Sequence, residues 1–125
     1  MKEASNQLWL EIIAKEFDEV LKLRANWNSY GARQVEPECI RFVLEELLPF
    51  AMRPSIPVPA VVPTNRGGIV LEWHTRGIDL EVEVVLPGCL HIFYEDAQTG
   101  ESWEGEVSSD LAPLDTPLEV HSQRQ

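Results

Sequence analysis

A chain of 125 residues with 44% hydrophobic content and a formal net charge of -11 is long enough to bury its own core and too apolar for disorder. Its two cysteines, without C-x-x-C spacing, exclude a disulfide framework and favour reduced thiols in a cytoplasm, and no apolar run approaches the roughly 18 residues of a membrane span. Residues 1–66 hold 8 Lys or Arg against 9 acids, whereas residues 67–125 hold only Arg76 and Arg124 against 12, so the acidic half repels nucleic-acid phosphates and favours a basic partner.

The first expected element is a helix. Ser5 suits its cap, and Trp9, Ile13, Phe17 and Val20, with Leu10 and Leu21 beside them, recur every three to four residues to about Leu23. Asn26 to Ala32, NWNSYGA, reads as a helix terminus and loop, because Asn and Gly tolerate the left-handed conformation that ends helices. A second helix opens at Pro37, carries Ile40, Val43, Leu44, Leu47 and Leu48, and is expected to stop at Pro49. Pro49, Pro54, Pro57, Pro59 and Pro63 then keep the chain extended. Pro54 to Pro57 fits a PxxP ligand pattern, but a stiff crossover from helix to sheet accounts for these prolines without a partner. Ala60 to Val62 is a candidate edge strand. Arg66 with Gly67 and Gly68 forms a candidate anion loop, weakened by having one cation and no following helix.

From Ile69 to Val107 apolar and acidic residues alternate through several turns, the pattern of a β-meander with one greasy face and one carboxylate face. Pairing Trp73 with Ile78 puts Leu71 opposite Leu80 and Ile69 opposite Val82. The Leu86-Pro87-Gly88 turn brings Val82 to Ile92 and Leu80 to Tyr94, and the turn at Asp96 to Gly100 brings Tyr94 to Trp103 and Leu90 to Val107. Leu80, Val82, Ile92 and Trp103 are therefore expected to be buried. The outward rows in this register are Val70, Glu81, Phe93, Glu104; then Glu72, Asp79, Glu95, Ser102; then Glu83, His91, Glu106. After Val107, the residues Leu111, Leu114, Leu118 and Val120 are spaced too irregularly for a further element. The expected architecture is α+β. A single domain over residues 1–110 has two N-terminal helices packed on one face of an antiparallel meander of four to five strands, and residues 111–125 are an extended or disordered tail.

No catalytic or cofactor motif accompanies this pattern. His74 and His91, with Glu72 and Glu83 near them, are the obvious metal ligands, but the register separates the histidines by about six residues, roughly 20 Å, so one ion cannot bind both. Each could head a separate site, but a histidine that relieves carboxylate repulsion explains Glu83 and Glu106 around His91 equally well, and no metal is expected. Cys89, His91 and Glu83 form a nucleophile set in name only, since strand neighbours point side by side and the carboxylates disfavour a thiolate. Phe93 and Val70 among Glu72, Asp79, Glu81, Glu83, Glu104 and Glu106 instead make an apolar centre with a charged rim. That layout points to a non-catalytic interaction or regulatory module for a basic protein partner, up to mimicry of nucleic acid. A plain solvated face, or one covered by the C-terminal leucines or a second copy of the chain, is the simpler explanation. The alternative is a small-molecule or enzyme site where Trp27, Tyr30, Arg33 and His74 converge beside the loop from Thr64 to Gly68.

Asn26-Trp27-Asn28-Ser29-Tyr30-Gly31-Ala32, Val61-Val62-Pro63-Thr64, Gly67-Gly68, Leu71-Glu72-Trp73-His74 and Asp79-Leu80-Glu81 together resemble the NW-D-SYGA and VVPT-GG-LEWH-DLE blocks of a group of small uncharacterised bacterial proteins. The resemblance spans roughly residues 20–106, and the chain departs from it at Asn28, where the group has Asp. It implies a bacterial, cytoplasmic single domain and no particular activity.

Overall fold

The alternating segment forms strands, and its period of two assigns the faces. In the computed structural model, which describes residues 2–53, 55–108 and 110–124 with the side chains of residues 2–10 excepted, β1 (Ala60–Pro63), β2 (Ile69–Thr75), β3 (Ile78–Leu86), β4 (Cys89–Asp96) and β5 (Ser102–Ser108) pair in chain order as one antiparallel sheet. Ile69, Leu71, Trp73, Leu80, Val82, Val84, Leu90 and Ile92 are buried on the inner face. Trp73 also satisfies its indole, donating Nε1–H to the Pro57 carbonyl at 2.7 Å. That bond, with the burial of Ile56, fastens the proline-rich crossover to the sheet; Pro54, the first residue of the PxxP pattern, lies outside the described residues.

The helical part is less simple than two N-terminal helices. α1 (Lys2–Leu21) contributes Ile13, Phe17 and Val20 to the same apolar cluster as the inner strand face. Ser5, expected as its cap, lies inside the helix, and the expected contribution of Trp9 and Leu10 falls outside the described side chains. α2 (Pro37–Phe42) does not end the second helix before Pro49. It passes through a wide turn over Val43–Leu47 into α3 (Leu48–Ala51). There the Leu48 N–H bonds to the Val43 carbonyl, five residues back, and this looser winding accommodates Pro49, which has no N–H to donate.

The C-terminal segment is folded, correcting the expectation of an extended or disordered tail. A tight turn at Ala112–Leu114 leads into α4 (Asp115–Gln123), and Leu114 and Leu118 join the core. Pro117 sits in the first turn of α4, where a backbone N–H has no helical acceptor to lose. The buried face is completed by His121, so Leu114, Leu118 and His121 follow i, i+4, i+7 spacing. Two arginines hold α4 in place: Arg53 pairs with Asp115 and Glu119, and Arg124 bonds both oxygens of buried Asp96 at 2.8 Å. No helix among the described residues is long and apolar enough to cross a membrane.

Trp103 is a second correction. It faces Tyr94 on the inner side as the register requires, yet it is 41% exposed. β5 is an edge strand, and the indole lies along it over Gly105, its Cζ2 3.2 Å from where a Cβ on that glycine would stand.

Candidate functional site

The outer face of the sheet is ordered in three cross-strand rows. They read Val70, Glu83, His91, Glu106; then Glu72, Glu81, Phe93, Glu104; then His74, Asp79, Glu95, Ser102. Pairing of β3 with β4 and of β4 with β5 follows the sequence register, but β2 sits two residues from its expected place, with Leu71 opposite Val82 and Trp73 opposite Leu80. The cause is the turn. Arg76 and Gly77 alone connect β2 to β3, both with positive φ (59° and 75°), and Thr75 closes the hairpin against Ile78. A shift of two residues keeps every side chain on its face, so the acidic face survives while its neighbours change: Glu72 meets Glu81, and His74 meets Asp79.

Val70, Glu81, Glu83, His91, Phe93 and Glu104 line an open cavity of about 280 Å³ on this face. Of its lining residues Val70, Phe93, Glu81 and Glu83 are half-buried, and Glu104 is exposed, as are neighbouring Glu106 and Asp79. His91 Nε2 lies 2.8 Å from Glu104 Oε2, so its partner is the diagonal Glu104 and not Glu83 or Glu106. That contact, and a register break between Val84 and Leu86 beside Cys89, leave nothing resembling a Cys/His nucleophile pair.

Among the described residues, no lysine or arginine is ion-paired with any carboxylate of the outer face. The two arginines of the acidic half are spent elsewhere: Arg76 donates to the carbonyls of Ser55 (2.7 Å) and His121 (2.8 Å), and Arg124 binds Asp96. Histidines are the partners instead. His74 Nδ1 lies 2.8 Å from Asp79 Oδ1 and its Nε2 3.7 Å from Glu72 Oε2. The Asp79 hydrogen bond raises the His74 pKa above its ordinary value, against the opposing effect of desolvation.

The alternative pocket is not assembled. Trp27 donates its Nε1–H to the Arg33 carbonyl at 3.2 Å, while Tyr30 is 89% exposed and walls nothing. The NWNSYGA loop is occupied with its own geometry. Asn26 and Ser29 take positive φ, Asn26 Oδ1 accepts from the Gly31 N–H, and Asn28 Oδ1 accepts from the N–H groups of Tyr30 and Ala32. An aspartate could make the same two turn bonds at position 28. Only an amide can also donate to Asn65 Oδ1, as the Asn28 Nδ2 does at 2.7 Å. The loop thereby docks on residues 64–68, at the start of β2, and His74 lies about 20 Å along the strand from Gly68. The glycine loop holds no anion cradle either: the Gly67 and Gly68 N–H groups are bonded to Thr64, and a Cβ on Gly68 would stand 2.4 Å from the Val84 carbonyl oxygen.

One feature is not legible in the sequence. Tyr94, Glu101, Trp103, Pro113, Thr116 and Pro117 border a cavity of about 520 Å³ between the β5 edge and the C-terminal segment. Gly105, two residues after Trp103, leaves the indole room to lie against the strand. Compared with protein families, curated proteins and solved structures, the chain matches none.

Proposed function

We propose that the chain is a non-catalytic interaction or regulatory module that presents the outer face of its sheet to a basic protein in the bacterial cytoplasm. The supporting observation is the cavity lined by Val70 and Phe93 together with Glu81, Glu83 and Glu104, with no lysine or arginine paired to those carboxylates among the described residues. A lysine or arginine side chain of a partner suits it: the methylene stem packs on Val70 and Phe93, and the charged head meets the carboxylates and the Phe93 ring. Directly opposed acids such as Glu72 and Glu81 each cost about 0.2–1 kcal/mol, and an incoming cation relieves that repulsion. On this reading α1 and the α2–α3 helix are the N-terminal cover of the inner face, which leaves the outer face free for the partner. The same charge disfavours direct nucleic-acid binding and allows the face to imitate a phosphate surface.

Carbodiimide labelling of carboxylates, before and after capture of a partner from the native host, tests the assignment. Glu81, Glu83, Glu104 and Glu106 are expected to label in the free chain and to be protected in the complex, while Asp18, Glu45 and Glu46 on the helices label equally in both. Equal labelling of the outer face in both states would overturn the reading.

A further inference from the structure

We propose that Glu72, His74 and Glu81 form a binding site for one divalent transition-metal ion, with Asp79 positioning the imidazole. The three residues offer one nitrogen and two carboxylate oxygens that all lie within 4.8 Å of one another, and they are the one such group among the described residues. They stand on two paired strands. Glu72 and Glu81 are directly opposite, and His74 follows Glu72 by two residues on the same face. Ligands at about 2.1 Å around a tetrahedral ion stand roughly 3.4 Å apart, so side-chain torsions alone close the site without moving the sheet.

The orientation of His74 is what separates this group from an ordinary patch of acids. Asp79 Oδ1 holds Nδ1 at 2.8 Å, so the ring presents Nε2 toward Glu72 Oε2 at 3.7 Å. A carboxylate on one ring nitrogen with the other aimed at further donors is the arrangement that fixes tautomer and orientation in metal-ligating histidines. The Glu81 side chain makes no hydrogen bond or ion pair among the described residues, although it is half-buried and faces another carboxylate. A mixed set of one imidazole and two carboxylates suits zinc, iron(II) or manganese(II), and it leaves coordination positions open for water or a partner's side chain. The arrangement exists because the hairpin closes at Arg76-Gly77: in the two-residue-shifted register, Glu72 would face Asp79 and Glu81 would stand beside Val70. The observed register still leaves His91 four residues away from His74, about 13 Å along the strands and outside the site.

Zinc titration of the full chain after chelator treatment, followed by calorimetry, decides the proposal. The wild type is expected to bind one zinc per chain. His74→Ala should abolish that binding, Glu72→Gln and Glu81→Gln should each weaken it at least tenfold, and Asp79→Asn should weaken it by about 10- to 100-fold while leaving the stoichiometry at one. His91→Ala should bind like the wild type, and circular dichroism should be unchanged throughout because these side chains are not part of the core. Absence of stoichiometric zinc in the wild type, or equal losses in His74→Ala and His91→Ala, would overturn the site. Glu81 belongs to both surfaces, and Phe93→Ala, which should impair partner binding and leave zinc untouched, separates this proposal from the docking surface.

Discussion

A chain cut after residue 110 is expected to lose at least about 3 kcal/mol of stability, because burying a leucine contributes about 1.5–3 kcal/mol and both Leu114 and Leu118 are 1% exposed in the core. The further losses have the same sign. Pro117 and His121 leave the core, and Asp96, 1% exposed, is stripped of the guanidinium that holds its carboxyl well below the usual carboxylate range. For a domain whose whole stability is about 5–15 kcal/mol, the cut chain should be partly or wholly unfolded at 37 °C. Urea denaturation followed by far-ultraviolet circular dichroism measures it. An unchanged midpoint would mean that residues 111–125 contribute nothing to the fold.

Acidification is expected to begin destabilising the domain above the range in which carboxylates titrate. His121 is 0% exposed, and burial, reinforced by the charges of Arg76 and Arg124, lowers its pKa from 6.5 to about 4. Its Nε2 lies 2.9 Å from Thr75 Oγ1, and its Nδ1 has no hydrogen-bond partner among the described residues, so nothing compensates a charged ring. The unfolded chain takes up the proton near pH 6.5 and the folded chain only near pH 4. The contribution of neutral His121 is therefore complete above about pH 6.5, declines as pH falls from there to about 4, and amounts to at most about 3 kcal/mol. Asp96 acts with the same sign in a lower window. Its depressed pKa confers stability above pH 3.8 that is lost as pH falls further. Urea midpoints at pH 7, 5.5 and 4.5 should fall in the wild type and fall much less in His121→Gln. Parallel declines in both proteins would assign the effect to other groups.

The sequence carried the faces of the sheet further than it carried the neighbours. Alternation from Ile69 to Val107 determines which side chains point inward, and a period of two makes that assignment immune to a two-residue shift. It does not determine the turn. Arg76 takes a left-handed conformation that asparagine or glycine would have advertised, so the short hairpin was not legible, and with it the meeting of Glu72, His74 and Glu81. The C-terminal helix was missed for a related reason. Its buried stripe runs Leu114, Leu118, His121, and a search for apolar residues alone passes over the histidine and finds the leucines irregularly spaced. Trp103 was placed on the correct face and wrongly expected to be covered, because burial at an edge strand depends on what lies beyond the strand. Val70 and Phe93 do face outward among the acids, but Val70 falls in the row of Glu83 and His91 and Phe93 in that of Glu72 and Glu81, whereas the sequence register sets them in one row.

The most direct test of the acidic face as a docking surface is the affinity of a captured native partner for the wild type and for the variant Phe93→Ala, Glu81→Lys, Glu104→Lys, each at low and at high salt. The three side chains lie on the outer face, so the variant should remain folded, with stability within about 1 kcal/mol of the wild type. Wild-type affinity should fall as salt screens the carboxylates, and the variant should bind at least 100-fold more weakly at low salt. Unchanged affinity of the variant at both salt concentrations would contradict the account and turn attention to the cavity beside Trp103.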